Sequence, residues 1–417
     1  RLRSRGLGDV YKRQLICTVA LFVTGCSSEA DEGQNKPKSR MAMTAEEEGI
    51  SEAEIKSAFT VFEDLYSDAL SESDRENVML SPLSLDLCLG MTSNAFAEAD
   101  RNDIVGRLGA SSAAALNEFN KNRINYFSYN GKRAKVSFAN SVWANSLTMN
   151  SEQDFASAMG NIKKYYDAES RTIDFGANDM KSMINNWCSN KTNGLIPEFL
   201  KDKPSVLMQA MFINAMYFDC QWEEPFEKSA TKTKTFYFPD GVQRQGNVEI
   251  MFGERFAPII ETDNYSMFAL PYADCNYSAV FVLPSKDKHI ADILPDVRDA
   301  LLTRKIDNAS PQKYIIGIPK FKTEYSNYIT DYVSNAGISL VNRELLGYGK
   351  MRGTEILQAT SLELSEEGSK IAAVTEVGGF TTTLPGTITL DRPFLMIVKE
   401  NNHGSILLMA AIQMPKE

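Results

Sequence analysis

Residues 366–391 read Glu366-Glu367-Gly368-Ser369-Lys370-Ile371-Ala372-Ala373-Val374-Thr375-Glu376-Val377-Gly378-Gly379-Phe380-Thr381-Thr382-Thr383-Leu384-Pro385-Gly386-Thr387-Ile388-Thr389-Leu390-Asp391. No apolar stripe of helical period runs through them. Gly378, Gly379, Pro385 and Gly386 interrupt any regular element, so the stretch reads as a long exposed loop, which in a compact domain is functional or disordered. Yet it alternates. From Ser369 the odd positions (Ser369, Ile371, Ala373, Thr375, Val377) are uncharged, while Lys370 and Glu376 both fall on the even side. As a strand, the segment has one face to bury and one for solvent. A loop that is also competent as a central strand is the pattern of a conformational switch.

The flanking sequence supplies a body for such a strand to enter. Ala279–Leu283, ended by Pro284, is a continuous apolar run of strand length, and so are Phe394–Val398 and Ile406–Ile412. The last two are joined by a polar Asn401-Asn402-His403-Gly404 turn and predict a buried hairpin. Nearer the N-terminus, Ser51-Glu52-Ala53-Glu54 reads as a capping box. Ile55, Phe59, Phe62, Leu65 and Tyr66 follow at helical spacing, predicting a helix over 52–70. Helices are also expected over 112–127 and 177–190. Early helices followed by many strands give an α+β class, and no internal repeat is present.

The 417 residues are 43% hydrophobic and 24% charged, ordinary for a globular protein. Length alone suggests two or three domains. A net charge of −10 argues against a nucleic-acid partner, because phosphate attraction needs surplus Lys and Arg. The chain begins at Arg1 rather than Met, which leaves open whether residues 1–14 are native. Arg1, Arg3, Arg5, Lys12 and Arg13 precede a short apolar run, Leu15–Thr24, too short to span a bilayer but suited to an export signal. Val23-Thr24-Gly25-Cys26 then resembles the bacterial lipoprotein cleavage box, in which Cys26 is acylated; a plain secretory signal is the alternative. Loss of residues 1–25 shifts the charge to −14. Residues 26–49, polar and without aromatics or Leu, are expected to form a flexible tether.

Cys88, Cys188, Cys220 and Cys275 are isolated in sequence, with no CxxC and no nearby His, so no zinc or other metal site is expected. They read as buried small hydrophobes, with one disulfide the alternative in an exported chain and its pairing open. His289 and His403 are the only histidines, and neither adjoins a plausible nucleophile. S-x-x-K matches such as those at Ser229 and Ser285 lack the companion motifs, and no G-x-S-x-G, Walker or EF-hand loop occurs.

Several separate motifs, in order, show a family resemblance. Asn77-Val78-Met79-Leu80-Ser81-Pro82-Leu83-Ser84-Leu85, Ile184-Asn185-Asn186-Trp187 with Thr192–Ile196, Asn214-Ala215-Met216-Tyr217-Phe218 through Trp222 and Pro225-Phe226, and Asp391-Arg392-Pro393-Phe394-Leu395 resemble the segments of serpins. The resemblance covers nearly all of 50–417. It implies one domain rather than two or three, since the reactive loop (about 366–391) must enter the domain's own sheet. The implied serpin fold has three β-sheets, about eight to nine helices and an exposed reactive-centre loop.

The resemblance further implies suicide inhibition of proteases rather than enzyme activity. The loop offers a peptide bond, the protease forms its acyl-enzyme, and the freed loop inserts as a new strand and distorts the protease. Counting from the hinge Gly368 and back from Pro393 converges on Thr382–Thr383 as the reactive bond, with Phe380 an alternative bait. Glu366, Glu367, Gly368, Ser369, Lys370, Ile371, Ala372 and Ala373 are the implied hinge. Ser81, Ser84, Asn185, Gln358 and Trp222 are the implied sheet-opening region. Three departures stand out: Ile371 where short residues are usual, Gln358 in place of the family's usual His, and Leu195 in place of Lys. No basic residue lies between Lys370 and Arg392, so the expected partners are elastase-like or chymotrypsin-like serine proteases and papain-like cysteine proteases. A monomer, anchored through Cys26 in a bacterial outer membrane and needing no cofactor, is expected. The alternative is a serpin-fold binding or structural module without inhibition; a hydrolase is the third reading, disfavoured by the scarcity of His.

Overall fold

The computed structural model describes residues 36–71, 77–237, 246–351, 356–369 and 386–415. Of two compact units, Arg1–Gly33 lies outside the described residues and Gln34–Glu417 contains them. The described part opens with α1 (Ala45–Ser71), β1 (Val78–Leu80) and four helices or strands of the first half: α2 (Pro82–Ser93), α3 (Glu98–Arg107), α4 (Ala113–Phe127) and β2 (Tyr129–Asn130). Then come β3 (Ala134–Asn145), α5 (Glu152–Tyr166), β4 (Glu169–Ile173), α6 (Met180–Lys191) and β5 (Ala210–Gln221). A meander follows through β6 (Lys232–Phe236), β7 (Gly246–Glu261), β8 (Tyr265–Pro271) and β9 (Tyr277–Pro284). The remainder comprises α7 (Ile290–Leu302), β10 (Pro311–Pro319), β11 (Phe321–Tyr328), α8 (Thr330–Asn335), β12 (Glu344–Leu345), β13 (Gly349–Lys350), β14 (Leu357–Leu364) and β15 (Gly368–Ser369). The chain closes with β16 (Gly386–Thr389), β17 (Phe394–Glu400) and β18 (Ile406–Ile412).

The expected tether is corrected at its C-terminal end. α1 begins at Ala45, upstream of the Ser51 box, because Thr44 and Glu47 form the real capping box: the Thr44 amide donates to the Glu47 carboxylate at 2.7 Å and the Glu47 amide to Thr44 Oγ1 at 3.2 Å. Ser51 and Glu54 are interior to the helix and buried. Residues 36–44 are fastened to the body rather than free. Lys38 Nζ donates to the carbonyls that end α4, Asn276 donates to the Lys38 carbonyl at 2.7 Å, and the buried His403 ring bonds both Glu400 and the Met41 carbonyl. Composition hid this, because most of the fastening runs through backbone carbonyls and Lys38, with only Met41 and Met43 packed on the core.

A long sheet runs in the order β1-β18-β17-β9-β8-β7-β10-β16, with β6 also paired to β7. The sixteen-residue β7 joins two halves: its first part pairs with β6 and β10, its last residues with β8. In β9, β17 and β18 every residue is buried, which explains their uninterrupted apolar runs. Leu395, Ile397, Met409 and Ala411 face a cluster with Phe59, Phe62 and Leu65 of α1 and Ile293 and Leu294 of α7. Their neighbours Phe394, Met396, Ala410 and Ile412 face the opposite cluster, shared with β2, β3, β5 and β14. The sheet is thus the middle layer, with helices on one side and a second sheet on the other.

That second layer has two parts. A five-stranded sheet runs β15-β5-β3-β2, with β4 parallel to β3, and a separate pair joins β11 to β14 antiparallel. α6 covers the outer face of β3 and β5 through Ile184 and Trp187 against Trp143, Ile213 and Ala215. The described residues therefore hold eight α-helices, the nine-stranded sheet, the five-stranded sheet and two two-stranded pairs, β11-β14 and β12-β13.

Beneath α1, the fully buried Arg123 is clasped between Glu54 and Asp86. Two carboxylates to one guanidinium leave a surplus negative charge out of water. Burial pushes the Glu54 carboxyl up to about 7 in spite of Arg123. A carboxyl raised above its unfolded value stabilises the fold fully below that unfolded value, and the contribution is lost as pH rises through the folded one. Stability should therefore fall between pH 5 and 8, by on the order of 2–3 kcal/mol. Glu54→Gln, which can still accept from Arg123, should flatten that slope in urea unfolding measured across this range.

Candidate functional site

β14 ends in a tight turn. The Ser365 amide donates to the Gly368 carbonyl at 3.0 Å and the Gly368 amide back to Ser365 at 3.2 Å. The chain reverses there, and Gly368 and Ser369 pair antiparallel with Gln221 and Cys220 at the end of β5. Gly368 has φ 138°, and a Cβ would lie 2.4 Å from the Cys220 carbonyl oxygen, so only glycine fits. The preceding acids are tied down. The Glu366 carboxylate accepts from Thr231 at 2.8 Å and faces Lys320; its carbonyl accepts from the Phe226 amide. The Glu367 carbonyl accepts from the Trp222 amide, and its carboxylate pairs with Lys228 at 2.9 Å, holding that ammonium above its ordinary range.

Trp222 anchors the corner. It is 1% exposed, lies flat on Tyr272 at 4.7 Å between centroids, and donates its indole N–H to the Ser365 carbonyl. The Tyr272 hydroxyl bonds Ser369 Oγ at 3.1 Å, and burial drives its phenol well above the usual range. Ser369 is 4% exposed. The first odd position of the alternating segment therefore points inward.

Below this corner lies a cleft of about 770 Å³, part of it open to solvent. Its walls are Asn214, Met216 and Phe218 of β5 and residues 358–363 of β14. Its floor includes Val398, Leu407 and Leu408. Among the described residues, β5 is paired only to β3 on its outer side and to β15 at its very end, and β14 only to β11. The two facing edges are unfilled ladders. Ser84 Oγ, Asn214 Oδ1, Thr360 Oγ1 and Ser361 Oγ, on cleft-lining residues, are buried with no hydrogen-bond partner among the described residues.

Ser81 and Gln358 meet at the cleft. The Ser81 amide donates to Gln358 Oε1 at 2.8 Å, Gln358 Nε2 donates to the Ser81 carbonyl at 3.0 Å, and Ser81 Oγ donates to the Leu407 carbonyl at 2.7 Å. An amide replaces an imidazole here with both of its ends used on one backbone unit. Ser84 and Leu195 also line the cleft. Asn185 does not belong with them. It sits on α6 and clamps the backbone of Leu200 through both ends of its amide; α6 packs on the outer face of the sheet, away from the cleft. Asn214, bonded to Asn140 at 2.8 Å, is the asparagine that lines it. Sequence reasoning also missed Tyr272, Thr231, Lys228 and Lys320, which carry no local signal because their partners lie far along the chain.

Lys370, Ile371, Ala372, Ala373, Phe380, Thr382 and Thr383, like Cys26, lie outside the described residues. The chain returns at β16, parallel to β10 with Gly386 opposite Tyr314. Beyond it, Arg392 donates to the Pro284 carbonyl at 2.7 and 3.1 Å. Among the described residues no group of three His, Cys, Asp or Glu side chains is placed to hold a metal. The four cysteines are free thiols; burial pushes Cys88 up to about 11 and Cys188 up to about 12, so neither is an activated nucleophile. His289 caps α7, its amide bonded to Asp292.

Comparison with known proteins agrees with this architecture. The family Serpin (serine protease inhibitor) matches residues 56–415. Human neuroserpin is 25% identical over 371 residues, covering 84% of this chain and 89% of its own. An uncharacterised serpin-like protein of Methanosarcina mazei is 24% identical, covering 96% and 97%. Among solved structures, the thermophilic serpin tengpin in its native state aligns with a TM-score of 0.76 at 26% identity over 92% of this chain and 98% of its own. Human thyroxine-binding globulin in complex with its ligand shares the fold at 20% identity and a TM-score of 0.76, over 89% of this chain and all of its own. The chain belongs to the serpin family.

Proposed function

We propose that this serpin is a loop-inserting suicide inhibitor of serine proteases, and of papain-like cysteine proteases, that accept small or apolar residues, with Thr382–Thr383 as the reactive bond. The observation that carries the reading is the seating of Gly368 and Ser369 at the mouth of a cleft whose two walls are unpaired strand edges. β15 runs antiparallel to β5, the direction a strand must take to fill the gap.

Continuing the register of β15 would set Lys370 opposite Asp219, Ile371 opposite Phe218, Ala373 opposite Met216, Thr375 opposite Asn214 and Val377 opposite Phe212. Phe212, Asn214, Met216 and Phe218 are the β5 positions now only half-buried, while Ile213, Ala215 and Tyr217 are already covered. The uncharged odd residues would thus meet the floor, and Lys370 would meet an acid on the outer face. Each apolar side chain the size of Ile or Val contributes roughly 1.5–3 kcal/mol on burial. The incoming backbone would complete two ladders and offer partners to Asn214, Ser84, Thr360 and Ser361. Ile371, bulkier than the family's usual residue, would slow entry at Phe218 while strengthening the inserted state.

The target class rests on the sequence. Thr382 suits a shallow elastase-like pocket, Phe380 a chymotrypsin-like one, and nothing between Lys370 and Arg392 suits an acidic pocket. The leukocyte elastase inhibitor of Xenopus laevis, 26% identical over 84% of this chain and 97% of its own, lends support. The N-terminal sequence supports export and acylation at Cys26, and so an inhibitor held on a bacterial membrane, in the outer membrane. Replacing Cys26 by Ser should move the protein from the membrane to the soluble fraction.

With elastase the protein should form a covalent complex that survives SDS and release a C-terminal peptide beginning at Thr383, read by mass spectrometry. Cleavage alone, across a panel of proteases, would sink the inhibitory reading. Ala373→Arg places a charge over Met216; it should leave cleavage intact and lower the yield of covalent complex by roughly tenfold or more, as a buried charge demands. Cutting the loop should also raise the melting temperature, by about 10 °C or more at the 2–4 °C per kcal/mol typical of larger domains. An unchanged melting temperature would favour a serpin-fold binding module that does not insert its loop.

A further inference from the structure

Directly beneath the hinge, two cysteines from distant parts of the chain enter one apolar cluster. Cys220 is the residue of β5 opposite Ser369, and its carbonyl is the atom that forbids a side chain at Gly368. Its own side chain points inward and is fully buried. Cys275 belongs to the turn between β8 and β9. That turn is held to the end of β5 by an antiparallel bridge between Trp222 and Tyr272 and by the Ala273 amide, which donates to the Gln221 carbonyl at 2.8 Å. The chain then reverses at Asp274, in the left-handed region at φ 58°, and returns Cys275 to the same apolar cluster as Cys220. Cys220 and Cys275 thus each lie within two residues of the Gln221–Ala273 hydrogen bond, and both are buried in that cluster. Among the described residues, Cys88 instead bonds the Phe212 carbonyl, and Cys188 is buried in the separate cluster under α6.

We propose that Cys220 and Cys275 are a disulfide-forming pair, oxidised through exchange with glutathione disulfide or a protein thiol oxidoreductase. Cys275, the slightly more open at 6% exposure, attacks one sulfur of the oxidant as thiolate and expels the first thiol. The Cys220 thiolate then attacks the Cys275 sulfur and expels the second. One S–S bond forms in the protein, one is lost from the oxidant, and both protons and both electrons end on its two thiols. The bond staples the strand that receives the hinge to the sheet underneath. It also cross-links the unfolded chain between residues 220 and 275, which disfavours unfolding. The pairing does not depend on the protein being an inhibitor, and its test uses no protease.

The purified full chain is incubated with glutathione disulfide, digested without reduction and mapped by mass spectrometry. The expected product is a peptide pair linked through Cys220 and Cys275, two hydrogens lighter than the reduced pair and restored by dithiothreitol. The melting temperature should rise by roughly 5 °C on oxidation. In Cys275→Ala both the link and the rise should vanish. If that variant does not fold, Cys220→Ser serves, and the mapping of the unaltered protein needs neither. A folded, oxidised protein without the 220–275 link, or with either cysteine joined to Cys88 or Cys188 instead, overturns the proposal.

Discussion

The arrangement turns on a missing neighbour. β5 and β14 each have one satisfied edge and one bare one, and the bare edges face each other over an apolar floor. Backbone amides and carbonyls left without partners near a low-dielectric interior are costly. The fold holds that cost in place through its surroundings. The Trp222–Tyr272 stack fixes the top of β5, Gln358 fixes β14 to the start of α2 through Ser81, and the middle sheet below is too fully packed to rise into the gap. Under the proposed function a strand from above relieves it, and Gly368 and Ser369 stand at the entrance.

Much of this was legible in the residues, and for separable reasons. The buried strands announced themselves because both faces of β9, β17 and β18 are covered, leaving no polar alternation to confuse the reading. The α1 face was legible because Ile55, Phe59, Phe62, Leu65 and Tyr66 all reach the core. Its start was not. Two capping boxes lie seven residues apart, and only tertiary contacts from Lys38, Met41 and His403 extend order far enough upstream to choose the first. Gly368 was singled out by position in a motif, but the reason it is glycine, an approach to the Cys220 carbonyl, belongs to packing.

The site residues divide along the same line. Ser81 and Ser369 line the cleft, and Trp222 anchors the turn above it. Asn185 was a plausible polar residue in the right motif on the wrong side of the sheet, and Asn214 took its place at the cleft. A sequence motif records neighbours along the chain, whereas the face of a sheet a residue serves depends on the register between strands. Tyr272 and Lys228 were invisible for the same reason: each matters only because residues near 366–369 fold back onto them.

The two ends of the alternating segment are moored to different sheets, Ser369 to β5 and Gly386 to β10. Under the proposed function this gives the molecule a shelf life. While the segment is whole, its far end stays tied to β10 by a parallel ladder of four residue pairs, the catch on a spring. Once the segment is cut, the far mooring no longer matters and the discharge cannot be reversed by religation. Each molecule serves once, and a cell relying on it must match protein synthesis to the number of proteases it meets.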